Sequence, residues 1–358
     1  MKKLLKTKTG RMFSMSAFQL FIRYSAIGIT VAVVAATFFV VSSGLGQSSV
    51  TAQAFVDLQE GGSVNPGFRR AHAKGICVSG SFVSSAELSS FSTATVFASG
   101  THPFVGRFST AGSNPQAPDL ASPVRSLSLR IGDSGNYWHT AMNTPPVMAV
   151  RSPTDFYQLI TLLKPDPASG KPNTEALMAF FESYPESSEF RQWQASYQPR
   201  ASFADEKYNS INAFYLTDDK AHKRAVRWSA VPVTPSAVNL NSDDPNALQN
   251  ALIAQISEGP IIFDLHFTFA EAEDDENDPT RSWPPSRQQI VAGSIVIDRV
   301  GDQALDDCNV INFDPLVLPV GIKATDDPIL NARSAAYAES YRRRAREHLL
   351  SFFSEALK

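Results

Sequence analysis

Six histidines occur in the 358 residues and none belongs to an HExxH or HxH pair, which disfavours a zinc hydrolase built on paired imidazoles. There is no G-x-S-x-G to expose an activated serine, no Walker A loop and no G-x-G-x-x-G after a strand pattern. Serine hydrolysis and nucleotide chemistry therefore lose their usual devices. The two cysteines, Cys77 and Cys308, lie far apart and neither sits in a C-x-x-C-H string, so zinc ribbons and covalently attached c-type haem are out. Two readings of the pair stay open: a disulfide in a compartment outside the cytoplasm, or two small buried hydrophobes. Six acids fall within residues 271–278, but the glycine and the terminal glutamate of a calcium loop are missing, and the run reads as a solvated loop.

The remaining chemistry is carried by four short strings: Arg69-Arg70-Ala71-His72-Ala73-Lys74-Gly75, Arg107-Phe108-Ser109-Thr110, Met142-Asn143-Thr144-Pro145-Pro146 and Arg333-Ser334-Ala335-Ala336-Tyr337. In order and spacing they resemble the haem catalases. The resemblance runs over residues 61–344, takes in Asn312-Phe313-Asp314-Pro315, and is nearest to the shorter catalase-related peroxidases, a group that often carries an N-terminal membrane segment.

The resemblance implies a role for each string. His72 is the distal acid–base residue, and Ser109 orients its ring. Asn143 is the distal amide if one counts back without gaps from Arg151, Pro153 and Phe156; an offset of one would put Met142 there instead. Phe156 packs on the distal haem face. Tyr337 is the axial ligand to the iron of a non-covalent b-type haem, with Tyr341 as competitor one turn on. A free phenol ionises near pH ~10, so a phenolate ligand needs positive charge, and Arg333 one helical turn earlier is placed to supply it. Arg69, Arg107 and Arg344 suit the two haem propionates, because a guanidinium fork matches a carboxylate. The implied activity is reduction of hydrogen peroxide or organic hydroperoxides at the expense of an unidentified reductant, with residual catalase activity.

Departures from the full-length family bear on that activity. The sequence ends soon after Arg344, so no NADPH site is expected, and Ala71 is smaller than the valine usual before the histidine; both favour an open distal channel and peroxidase over catalase turnover. Two other readings use the same residues: a haem carrier or sensor without turnover, and allene oxide synthase chemistry on fatty-acid hydroperoxides. A structural barrel without haem is a third.

Such a site needs a rigid frame, and hydrophobic periodicity indicates one. Residues 261–269 alternate apolar and polar side chains, as do 126–131, where Leu127, Leu129 and Ile131 alternate with Ser126, Ser128 and Arg130. Weaker segments at 76–83, 104–108, 145–150, 211–217, 225–231 and 293–300 bring the expected strands to eight. Helical spacing appears at 154–163, 173–181, 186–193 and 246–257, and a last helix opens at Asp326-Asp327-Pro328. Segregated strands and helices predict an α+β domain on an eight-stranded antiparallel barrel.

Charge placement completes the picture. The first 23 residues carry six bases and no acid, which leaves 26 bases against 35 acids beyond them, a net −9 hidden within a formal −3. Residues 24–43 are uncharged and rich in Val, Ala, Ile and Phe, about 30 Å of helix, the thickness of a bilayer core. The expected organisation is a basic cytoplasmic segment (1–23), a transmembrane anchor (24–43), a tether (44–61) and a haem-binding body (62–358) beyond the inner membrane, on the periplasmic side. Ala52-Gln53-Ala54 leaves open a cleaved signal and a secreted body. An acidic body predicts no nucleic-acid partner; oligomerisation is left open.

Overall fold

Period-two burial builds the sheet. In Ile261–Phe269 the side chains of Phe263, Leu265, Phe267 and Phe269 are buried while Asp264, His266 and Thr268 stay partly open. A computed structural model describes residues 17–43 and 50–356, apart from 134, 167–168, 234–239 and 304–306. Ten strands form: β1 (Gly75–Ser84), β2 (Gly100–Thr110), β3 (Arg125–Ile131), β4 (Trp138–Asn143), β5 (Tyr208–Asn209), β6 (Phe214–Thr217), β7 (Lys223–Pro232), β8 (Ile261–Phe269), β9 (Gln289–Gly301) and β10 (Ile322–Ala324). All pairings are antiparallel, and they run β1-β2-β3-β4-β5-β7-β8-β9 and back to β1, a closed ring of eight. β6 adds to β7, and β10 to β6, outside the ring. Phe82, Phe108, Leu127, Leu129, Phe263, Leu265, Phe267 and Ile295 fill the core, where Trp138 meets Trp228 edge-on at 5.3 Å.

The barrel agrees with expectation, but two of its staves do not. Residues 145–150 are not a strand: Pro145 and Pro146 lack the N–H that a ladder needs. The stave there is β4, which is buried along nearly its whole length and so has no alternation to read. Residues 211–217 enter strand only at Phe214, because Ile211 adopts a left-handed φ of 65°, and the ring is completed instead by two-residue β5.

Helices α3 (Pro153–Leu163), α4 (Thr174–Ser183), α5 (Ser188–Ser196), α6 (Ala247–Glu258) and α7 (Pro328–Ala356) fall where the periodicity puts them. The expected tether does not. Residues 44–49 lie outside the described residues, and Ala52–Glu60 folds as α2, capped by Thr51, whose hydroxyl accepts from the Ala54 N–H at 3.1 Å. Ala52-Gln53-Ala54 is its first turn. α2 is clasped to α7 by ion pairs: Arg343 reaches Asp57 at 2.6 Å and Glu60 at 2.7 Å, and Arg70, just before His72, reaches Glu60 at 3.1 Å and also Glu347. In the acidic run, Arg287 pairs with Glu271 and Asp274, and among the described residues no acidic or histidine cluster could hold a metal ion.

Contacts divide the chain into Met1–Ser49 and Val50–Lys358. The first unit contains α1 (Ala17–Ser43), which leaves Phe21, Ile22, Ile27, Ile29, Val31, Val33 and Val34 exposed. Among the described residues no helix is long and apolar enough to cross a membrane. The expected span 24–43 lies within α1, but from residue 38 on only its backbone is described, and most of the basic segment, residues 1–16, lies outside the described residues.

Glu60 is the shared anion of two arginines in a nearly dry site. Glu60→Ala should lower the unfolding free energy by about 1.5 kcal/mol, read from denaturant curves, because each arginine loses one charged partner while Arg70 keeps Glu347 and Arg343 keeps Asp57.

Candidate active site

His72 lies in the turn between α2 and β1 with φ of 54°, a left-handed conformation that costs a non-glycine residue about 1–3 kcal/mol. The residues after it hold that turn. Lys74 is buried, 3.0 Å from Asp119, and its Nζ donates to the carbonyls of Ala117 and Pro245 at 2.9 and 2.6 Å. A Cβ on Gly75 would lie 2.3 Å from the Phe108 carbonyl oxygen and 2.5 Å from the Arg107 guanidinium, so only glycine allows β1 this close to β2. Ala73 donates its N–H to Gly112 at 2.9 Å, and its carbonyl accepts from Arg107 at 3.1 Å and Gln303 at 3.2 Å. H-A-K-G therefore acts as one unit, in which the lysine and glycine clamp the turn that presents the imidazole.

Three adjacent strands contribute one polar residue each in register: Ser109 on β2 opposite Ser126 on β3, and Ser126 opposite Asn143 on β4. The His72 Nδ1 is 3.4 Å from Ser109 Oγ and 3.2 Å from Ser126 Oγ, and Ser126 donates to Asn143 Oδ1. Burial, and then the charges of Arg107, Arg333 and Arg69, lowers the His72 pKa to about 4. The imidazole is neutral at pH 7 and able to take a proton. Asn143 joins this group; Met142 is packed in the barrel core. Phe156 sits on α3 in a satellite cluster with Ala149, Val150, Leu159 and Phe180, its ring stacked on Phe55 of α2 at 5.7 Å.

On α7, Tyr337 packs against Cys77, Cys308, Ile311 and Phe313. Cys77 and Cys308 are joined in a disulfide, Cα atoms 5.6 Å apart, which ties β1 to the turn Asp307–Asn309 and decides between the two readings of the pair. Arg69 donates to the carbonyls of Cys308 and Ile311, each at 2.9 Å. Arg344 donates to the Asn309 carbonyl, and Arg107 to Gln303 Oε1 at 2.6 Å. Among the described residues none of these three guanidiniums has a carboxylate partner, and the Arg344 Nε is buried with no partner at all. Burial lowers the pKa of each, and for Arg69 and Arg107 neighbouring guanidiniums lower it further while Tyr337 opposes the shift.

Arg333 is not placed as the one-turn spacing implies. Its guanidinium bonds Asn212 Oδ1 and, at 2.8 Å, the Ala141 carbonyl, and among the described residues it makes no hydrogen bond to Tyr337. Asn212 in turn donates to Asp327 at 2.6 Å, which draws Arg333 toward the barrel. Tyr337 lies within electrostatic reach of Arg69 and Arg107, whose lowered pKa values it partly restores. Tyr341 faces Arg344, 5.4 Å from guanidinium to ring centre.

A closed antiparallel barrel with inserted helices and a long last helix is the fold of the catalases. A solved bacterial catalase superposes with a TM-score of 0.69 at 21% identity, over 78% of this chain and 58% of its own. A fungal catalase gives 0.69 at 18%, over 77% and 59%. The catalase family model matches residues 67–351, and the chain belongs to that family. It is similar to a catalase-related peroxidase of Synechococcus elongatus, 36% identical over 89% of this chain and 96% of that protein, and to one of Mycolicibacterium paratuberculosis, 26% identical over 82% and 94%. Against a catalase of Pseudomonas syringae the match is 26% identical and spans 56% of that protein. The protein is an oxidoreductase that acts on peroxide.

Catalase family proteins bind haem, and the residues present fit one: three buried guanidiniums without acids suit two propionates, and Tyr337 lies among their charges. Sequence reasoning missed Ser126, Gln303, Asn309 and Asn212. Only Ser126 left a signal, as a polar position in an alternating strand.

His139, buried on β4, has its pKa lowered to about 4 as His72 does, by burial first and then Arg130. Both folded-state values lie below the unfolded value, so this stability is complete above about pH 6.5 and is lost as pH falls toward about 4. Denaturant unfolding should show a loss approaching 1.4 kcal/mol per pH unit for each group, roughly, and His139→Leu should reduce the slope.

Proposed function

We propose that the protein is a haem peroxidase of the catalase family, reducing hydrogen peroxide or organic hydroperoxides with residual catalase activity, at a non-covalent b-type haem. The reading is carried by one observation: a neutral imidazole and an amide joined through a single hydroxyl, within reach of the charges of Arg107, Arg333 and Arg69. Tyr337 would hold the iron as a phenolate, and Arg69, Arg107 and Arg344 the propionates. When bound, the haem supplies the electrons that part the O–O bond. His72 takes a proton from one peroxide oxygen at Nε2, the nitrogen turned away from the serines, and returns it to the other, so that water leaves. Asn143 holds the peroxide by its amide. Phe156, on α3 beside α2, is assigned to the distal haem face by the family likeness.

An inner-membrane anchor is proposed on three supports: the exposed apolar face of α1, the bases confined to its N-terminal side, and a disulfide that suits an oxidising compartment. Phe38, Phe39, Val40 and Val41 extend the apolar stretch. The body then lies on the periplasmic side and draws electrons from a reductant there.

Haem-loaded protein should oxidise organic donors with peroxide faster than it disproportionates hydrogen peroxide; the reverse ranking overturns the peroxidase assignment. Tyr337→Phe should change the Soret spectrum and lower haem retention, and an unchanged spectrum would remove Tyr337 as ligand. His72→Ala should cut the peroxide step by about 10²–10⁴ while haem stays bound.

A further inference from the structure

Among the described residues Ser126 is the one whose side chain hydrogen-bonds both the His72 ring and the Asn143 amide, and a hydroxyl has a single proton to give. Its Oγ lies 3.2 Å from His72 Nδ1 and hydrogen-bonds Asn143 Oδ1. An amide oxygen can only accept, so the Ser126 proton is committed to Asn143 and its lone pairs face the imidazole. A hydrogen on His72 Nδ1 meets those lone pairs at 3.2 Å, with the more distant Ser109 Oγ at 3.4 Å as a second acceptor, and that tautomer leaves Nε2 bare. With Oδ1 engaged, the two N–H bonds of the Asn143 amide are free for the pocket.

We propose that Ser126 is a positioning residue that sets, through one hydrogen bond chain, both the tautomer of His72 and the orientation of the Asn143 amide. The two are locked to each other. If the amide turned over, Nδ2 would donate to Ser126, the serine hydroxyl would donate to a bare Nδ1, and Nε2 would carry the ring hydrogen. The pocket would then present a donor where a base is needed and a carbonyl where a donor is needed. Ser109, 3.4 Å from the same Nδ1, has no bond to Asn143 and cannot couple the pair. The chain is built into the sheet: Ser126 is the middle member of the cross-strand row between Ser109 and Asn143, and it is buried. Arg107, Arg333 and Arg69, the charges that act on His72, all disfavour a second proton on the ring, so the chain works on a neutral imidazole.

The use made of these groups rests on the peroxidase reading, but the chain itself does not, and the test separates them. In the full-length chain labelled with ¹⁵N-histidine, long-range ¹H–¹⁵N spectra at pH 7 should show the ring of His72, assigned by its loss in His72→Gln, with its hydrogen on Nδ1. Ser126→Ala should turn a substantial part of that population to Nε2–H, and Ser126→Thr, which keeps the hydroxyl, should restore Nδ1–H. Ser126→Ala in the haem-loaded enzyme should also slow the peroxide step by about tenfold with Soret position and haem content unchanged. A wild-type His72 in the Nε2–H form, or a Ser126→Ala protein with the wild-type tautomer ratio, would overturn the proposal. Both outcomes are read without turnover, so a failure of the peroxidase reading leaves them intact.

Discussion

Buried positive charge that forms no ion pair among the described residues governs this body. Arg69, Arg107 and Arg344 are taken out of water at a cost that burial alone makes large, and they raise that cost for one another. What holds them is neutral: the carbonyls of Cys308, Asn309 and Ile311 and the amide of Gln303. Much of the rest can be understood as scaffolding for that arrangement. The disulfide fixes the turn that offers the carbonyls, β1 and β2 carry His72 and Arg107 against each other, and the α2–α7 clasp holds the Arg69–Arg70 segment in place. Burial first, and then Arg107, Arg333 and Arg69, keeps His72 unprotonated, so Arg69 and Arg107 act on the imidazole as well as on one another.

The barrel and the strings that gather around His72 were legible because their signals are local. Alternation marks β3 and β8, and H-A-K-G packs a clamp and the residue it presents into four positions. Where a strand is buried on both faces, as β4 is, alternation vanishes and the stave slips from view. Ser126 shows the converse. By alternation it belongs to the polar side of β3, which reads as solvent, yet that side is covered by the His72 turn and the residue is buried.

Partners set by tertiary geometry were not legible. One-turn spacing put Arg333 beside Tyr337, but a helix offers its residues to whatever lies across from them, and across from Arg333 lie Asn212 and the Ala141 carbonyl. The disulfide was likewise undecidable from two cysteines 231 residues apart. α2 escaped because nine residues are too few to show a period against a background of serine and glycine.

Closure of the ring depends on β5, two residues long, with one ladder pair to β4 and two to β7. The Asn209 side chain, donating to the Thr144 carbonyl at 3.0 Å, adds a bond that the short strand cannot make with its backbone. The cylinder therefore has a seam. Parting β5 from β4 would break one ladder pair, yet Trp228 still donates to Thr140 at 2.8 Å across the same line. Backbone pairing of the cylinder is thinnest along that line, beside Asn143, and its closure there is a matter of side chains more than of ladder.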